Sequence, residues 1–389
     1  MMWLLLFSLT ALVVLLPMVP ALAEWRRKSD VAPLHIDTQD ALDPPFLARS
    51  FAARLATAVA AGQAQLGPSL LTQVPPQGPW PLHASEGRTA QSRRVWHAVG
   101  DARLPAKMRF LAEVAATGNL RSAPRCAYRA LWAGQRLHLA ARGVVLRWAH
   151  GVQVDIEAGC QLDGRVSADE TITVQGEVAF TLLHAPTVRF GQAAGGSAGA
   201  GWSGPSIFPA GLPAPVVWDI KSGRGSCSEA LQIGARRAWN GDLVCGADVW
   251  LGAGCNANGS LKARGEVVTD EGCRIAGSVF AEGVVELGPG CSVRGSVVSE
   301  TAVLLGAGCT VGAPDCPATV AAPRIEVAPG VVVHGTLWAS ESGRVMKVQA
   351  GPQQAHQLFA APDLVEQTAE PATAAATDAV DRPERRTAA

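Results

Sequence analysis

The groups in this 389-residue chain whose spacing could carry chemistry are its nine cysteines, its eight histidines and one arginine series. Cys255, Cys273, Cys291 and Cys309 each follow a glycine and recur every 18 residues. Thiols spaced this way could hold a soft metal, pair oxidatively or fill a repeating core. No CxxC pair occurs, which argues against zinc. The count is odd and the positions follow a repeat, which argues against a disulfide framework. Small apolar filler in a reducing compartment is the reading that remains. Arg129, Arg147 and Arg165 are also 18 apart. Stacked like charges repel, so such a column must face water or an anion, and it is the candidate interaction surface. His334 lies inside the most regular stretch and His184 near the end of a looser one. Neither has an acidic neighbour in sequence to orient it as a general base. Asp248 and Glu266 align at the same spacing, but one pair is no carboxylate cluster. Nucleotide, zinc-protease and serine-hydrolase motifs are absent. The residues therefore assign no catalytic group, no cofactor and no metal.

The elements behind these residues are repeats. Gly241, Gly259, Gly277 and Gly295 recur at 18, and Gly335 resumes the series after an insertion around Asp315 and Cys316. Within each 18 is a period of six, in which apolar residues alternate gaps of four and two. Leu251, Ala257, Ala263, Thr269 and Ile275 form one series; Cys255, Leu261, Val267 and Cys273 form the other. A gap of two is one strand pleat with both side chains on one face. A gap of four leaves room for a corner, where glycine falls. Three six-residue sides make an 18-residue coil, so the expectation is an all-β chain folded as a parallel β-helix of triangular section. Nine or ten coils are expected, with the cysteines in a buried column.

Composition agrees. Glycine (41) and proline (26) are frequent, and aromatics are only 5%. Lys+Arg and Asp+Glu are 33 each, which excludes a globally basic nucleic-acid binder. Residues 1–25 are almost wholly apolar and read as a transmembrane anchor. Basic residues follow the run and none precedes it, which places the body on the cytoplasmic side. Ala21-Leu22-Ala23 leaves a cleaved signal peptide as the other reading. Residues 26–92 are expected to hold a juxtamembrane helix and a linker. The helix would begin at Asp43-Pro44-Pro45 and carry Leu47, Phe51, Leu55 and Val59 on one stripe. It would pack on the protein's own surface or lie on the membrane. A possible cap follows at 93–125, a first β-helix segment at 126–192, a Gly/Pro-rich loop or hinge at 193–228, the regular β-helix at 229–348 and a disordered tail at 349–389.

The stretches LQIGARRAWNGDLVCGADVWLGAGCNANGSL (231–261) and VELGPGCSVRGSVVSETAVLLGAGCTV (285–311) resemble the bactofilins, the bacterial polymer-forming cytoskeletal proteins. The resemblance covers 231–345 well and 126–192 more loosely. It implies a right-handed winding, nucleotide-independent assembly through β-helix ends, and residence at the inner membrane. The partners expected are further copies of the chain, the membrane and unidentified proteins, with no nucleic acid. The interruption at 193–228 and the long N-terminal region depart from the family pattern. Sheet edges at a solenoid's ends pair with other chains unless covered. The coil over 333–348 has no evident cap in sequence, so it is the expected site of end-to-end pairing. The competing reading is a hexapeptide-repeat acyltransferase, which would use His334 or His184.

Overall fold

The computed structural model describes residues 2–27, 43–74, 90–191, 216–219 and 221–346. Its body is a parallel β-solenoid of about 13 turns with ~18-residue spacing, more than the nine or ten coils expected. Three strands and three corners make each coil of the regular part. Leu261–Ala263 is typical: Leu261 and Ala263 point into the core and Lys262 points out. Its neighbours one coil away are Leu243–Cys245 in one direction and Val279–Ala281 in the other, in register. A buried apolar column therefore runs along each face, and adjacent coils satisfy one another's backbone groups.

The solenoid has two segments that run in opposite directions along one axis. The first begins at Ser69–Val74 and ends at Ala179–Phe190. The second begins at Arg224–Cys227 and ends at Val332–Val345. Their last coils pair antiparallel, with Leu183 opposite Leu337, Val188 opposite Val333 and Phe180 opposite Gly343. These three pairs lie on three different faces, so every face crosses the seam. One hydrophobic core extends through it, from Val74 in the first segment to Cys227 in the second. The C-terminal coil is therefore covered by its own chain, and the expectation that it is an open pairing edge is corrected.

Other boundaries shift too. Residues 93–125 are not a cap. Val95–Ala98, Met108–Ala116 and Leu120–Arg121 are coils of the solenoid. Their step is still 18, as Ala90 opposite Met108, Trp96 opposite Val114 and Ala102 opposite Leu120 show. Their corners, however, are made by Lys107 and Arg125 in place of the marker glycine, and the step drops to 17 from Ala127 to Val144 to Gln161. Of the expected loop, 193–215 lies outside the described residues. Its remainder holds a short strand, Val217–Asp219, antiparallel to Arg224–Cys227. The expected tail at 349–389 lies outside the described residues, as does nearly all of the linker expected at 29–43. The linker expected at 61–92 is corrected: Gln65–Leu66, Ser69–Val74 and Ala90–Ser92 are strands at the start of the solenoid, and only 75–89 lies outside the described residues.

Three helices precede the solenoid: α1 (Met2–Leu15), α2 (Val19–Arg27) and α3 (Phe46–Ala60). A 3-10 turn at Leu16–Met18 separates the first two. Pro17 sits in it, where a missing N–H and the ring disfavour a continuous helix. The single membrane-spanning helix expected over 1–25 is thus divided, and no described helix is long and apolar enough to cross a membrane. Helix α3 lies on the outside of one solenoid face. Its buried Ala48, Phe51 and Leu55 pack on Val95, Ala112, Ala115, Ala130 and Trp148. The rings of Phe51 and Trp148 are 5.3 Å apart.

Candidate functional site

One edge of the solenoid collects the periodic cysteines. On this edge the chain turns through a left-handed residue and then directs the next side chain inward. In the second segment that residue is Gly254, Gly272, Gly290 and Gly308, with φ between 67° and 72°. Cys255, Cys273, Cys291 and Cys309 follow them and are 0–1% exposed. Each thiol donates to a corner carbonyl 21 residues upstream: Cys255 to Gly234 (3.2 Å), Cys273 to Gly252 (3.3 Å), Cys291 to Asp270 (3.0 Å) and Cys309 to Gly288 (3.1 Å). These corner carbonyls lie outside the strands, and a small, weakly donating side chain satisfies them without leaving a void. In the first segment Cys160 does the same toward Ala140 at 3.4 Å. Burial pushes the Cys160 thiol up. The hydrogen bond that Cys309 offers its neighbour Cys291, together with burial, pushes Cys309 up. Hydrogen bonds from neighbouring thiols act the other way at Cys255, lowered to about 7 by Cys273, and at Cys291, lowered by Cys273 and Cys309. It is therefore the near-complete burial of the ladder, not a uniform upward shift, that keeps its thiols from reagents. No group of three or more metal-ligating side chains occurs among the described residues.

The other glycine series serves a different corner. A Cβ on Gly259 would meet the carbonyl of Gly241, and one on Gly277 or Gly295 would meet the serine hydroxyl and glycine backbone of the preceding coil. Gly241, Gly259, Gly277 and Gly295 are there because adjacent coils approach too closely for a side chain. Gly335 has φ 128°, and its Cβ would meet the Ala318 carbonyl.

Arg129, Arg147 and Arg165 do not form a column. Arg165 stands opposite Trp148, 17 residues back, which puts it one position out of line with Arg147. Arg129 and Arg147 both fall at the register shift where the step changes from 17 (Tyr128 to Val145) to 18 (Ala130 to Trp148). Arg165 also stands opposite Leu182. Arg129 is 3.6 Å from Glu113. Arg147 is exposed beside the register shift between Val145 and Trp148.

The structure brings His184 and His334 together at the seam, one from each segment. His184 Nδ1 is 2.8 Å from Thr336 Oγ1, and His334 Nδ1 donates to the Pro186 carbonyl at 3.1 Å. A second cluster had no sequence signal, because its members come from different coils. Ser167 Oγ is 2.9 Å from His150 Nδ1, and His150 Nε2 is 3.6 Å from Asp169. Nucleophile, base and carboxylate thus lie in line. Ser167 is only 2% exposed, however, and Arg49 of α3 reaches Asp169 at 3.8 Å. Burial holds the His150 imidazole below its ordinary range, against the attraction of Asp169. As arranged, the cluster joins α3 to the solenoid and offers a substrate no way in.

No family model, no curated protein and no solved structure matches this chain.

Proposed function

We propose that the chain is a bactofilin-like scaffold that assembles through the ends of its β-helix, without nucleotide, at the bacterial inner membrane. The observation that carries this reading is the antiparallel pairing of Ala179–Phe190 with Val332–Val345. Two solenoids joined by their C-terminal coils make, inside one chain, the kind of edge-to-edge joint that end-to-end assembly requires. The joint leaves the two N-terminal coils outermost. Among the described residues, Ala90–Ser92 and Ala102–Arg103 at one end pair on one side only. Leu231–Ile233 and Ala238–Asn240 at the other end do the same. Strand edges at both ends suit a chain of copies joined N-terminal coil to N-terminal coil. Such a scaffold works through self-association and through recruitment of partner proteins to its sides. The right-handed winding is part of the family reading. So is an apolar N-terminal anchor that keeps the bulk of the chain cytoplasmic: α1 and α2 expose Leu6, Phe7, Val13 and Trp25, a surface suited to lipid.

The test is electron microscopy of the full chain in mild detergent and reducing buffer, without nucleotide. Filaments or end-to-end strings are expected. Uniform single particles across a wide concentration range would overturn assembly. A closed trimer whose acyl-transfer activity depends on His184 or His334 would favour the enzyme reading instead.

A further inference from the structure

The left-handed corners hold a second pattern. Four residues other than glycine have positive φ, and all four are basic: Lys107 (58°), Arg125 (57°), Arg142 (58°) and Arg236 (57°). Each stands where other coils place Gly159, Gly254, Gly272, Gly290 or Gly308. An L-residue is strained there, and when the position is not glycine the tolerated residues are usually Asn or Asp. Strained backbone that carries a long cation at every such corner points to a use for the cation.

Three of these corners are consecutive. Arg125 donates its N–H to Ala141, the residue before Arg142, and Arg109, two past Lys107, pairs with Ala127, two past Arg125, so the corners stack coil upon coil at ~4.8 Å. Arg103 and Arg121 pair on the adjoining face. Arg109 leads the other flank, one strand position past the Lys107 corner. Charge is concentrated to match. Residues 90–147 hold 11 Lys or Arg against two Asp or Glu, whereas residues 216–346 hold 10 against 13. Both acids of the basic stretch are engaged, Asp101 with Asn119 and Glu113 with Arg129. Asp155 and Glu157 of the next coil answer Arg136 and His138. Among the described residues no carboxylate makes an ion pair with Arg103, Lys107, Arg109, Arg125 or Arg142. All five are exposed. Helix α3 covers a different face, so this edge is clear of it.

We infer that Lys107, Arg125 and Arg142, flanked by Arg103, Arg109 and Arg121, form a docking ridge for anionic phospholipid headgroups. The ridge would hold the first segment against a negatively charged bilayer. The inference rests on the membrane-scaffold reading and adds a second, electrostatic contact to the apolar N-terminal one. A bilayer is preferred over another polyanion because α1 and α2 carry exposed apolar side chains on the same chain. A cationic edge beside an apolar anchor is the two-signal arrangement that makes membrane binding stable.

The test uses the full chain and vesicle flotation, with phosphatidylcholine alone or with phosphatidylglycerol added, at low and high salt. Two triple variants are compared with the parent. One carries Lys107→Glu, Arg125→Glu and Arg142→Glu. The other replaces the same three residues with glycine, which removes charge while relieving the backbone and so guards against misfolding. Phosphatidylglycerol is expected to strengthen parent binding in a salt-sensitive way, and either variant should lose on the order of a hundredfold of that gain, about fivefold per cation. Binding indifferent to phosphatidylglycerol, or glycine variants that bind like the parent, would overturn the ridge. So would tight binding of an oligonucleotide that the variants lose while vesicle binding stays the same. Failure to float with phosphatidylcholine alone would count against the anchor only, because the ridge is read from the phosphatidylglycerol increment.

Discussion

Ala185 and Gly335 face each other across the seam where the two segments meet antiparallel. Ala185 is fully buried, and Gly335 adopts φ 128° with the Ala318 backbone where a Cβ would be. Gly335→Ala should therefore cost about 3 kcal/mol, from backbone strain together with overpacking. Urea unfolding monitored by circular dichroism measures it. The same change at Gly272 finds open space around the Cβ and meets strain alone, so it should cost about 1–2 kcal/mol. Equal costs at the two sites would contradict the close approach at the seam.

The basic corners reverse the usual direction of a glycine substitution. Arg125→Gly and Arg142→Gly should each raise stability by up to about 1 kcal/mol, because the left-handed penalty outweighs the entropy glycine adds to the unfolded chain. Thermal melts of the single variants check this. A fall in melting temperature would mean that the arginine stems contribute packing that exceeds the strain.

Thiol labelling separates the ladder from the surface. Eight cysteines are buried and Cys316 is half-buried. An aromatic disulfide reagent should modify Cys316 first in the folded protein and reach the other eight only on unfolding. Cys291→Ala should cost about 2 kcal/mol, since it opens a small cavity and leaves the Asp270 carbonyl without its donor. Cys291→Ser keeps the donor and should cost less. Rapid modification of Cys273 or Cys291 without unfolding would contradict the closed edge.

Acid should loosen the first segment. Burial lowers His97, His150 and His184 from the ordinary imidazole value of 6.5. Asp169 and Asp43 oppose the shift at His150, and Arg49 reinforces it. A depressed imidazole makes little difference to stability at pH 7, where the folded and unfolded states are both mostly neutral. Below about 6.5 the unfolded chain binds protons that the folded chain refuses, so stability falls as pH drops toward 5. Melting temperatures from pH 7.5 to 5 should show that decline. His150→Gln should flatten part of it, and an unchanged slope would place the proton uptake elsewhere.

Assembly can be blocked at a single strand edge. Leu231 donates its N–H to Asp248 of the next coil. Along a strand these groups alternate in direction, so the N–H of Gln232 points to the unpaired side. Gln232→Pro removes that donor without breaking an internal bond. It should leave the melting temperature within a few degrees of the parent while shortening any filaments seen by microscopy. Filaments of unchanged length would show that this edge is not used.

The periodic half of the fold was legible because each coil from Leu231 onward repeats one solution. Inward residues alternate by two, a glycine such as Gly272 makes the left-handed corner, and another such as Gly277 permits the close approach. Those are local requirements, and local requirements appear in sequence. The first segment was harder to read. Its coils advance by 17 near Val144, and its corners are made by Lys107, Arg125 and Arg142 instead of glycine, so neither the period nor the marker persists. That change of step, with the register shift between Val145 and Trp148, left three regularly spaced arginines as Arg129 on Glu113, Arg147 beside the shift and Arg165 opposite Trp148. What only the tertiary structure decided is the seam. An antiparallel meeting of Ala179–Phe190 with Val332–Val345 needs the same apolar alternation as a parallel one. The sequence therefore determined which side chains of the regular coils point inward and that the chain coils every 18 residues or so. Whether the last coil met solvent, another copy or its own first segment depended on where distant strands found a free edge, and no residue along the repeat encodes that choice.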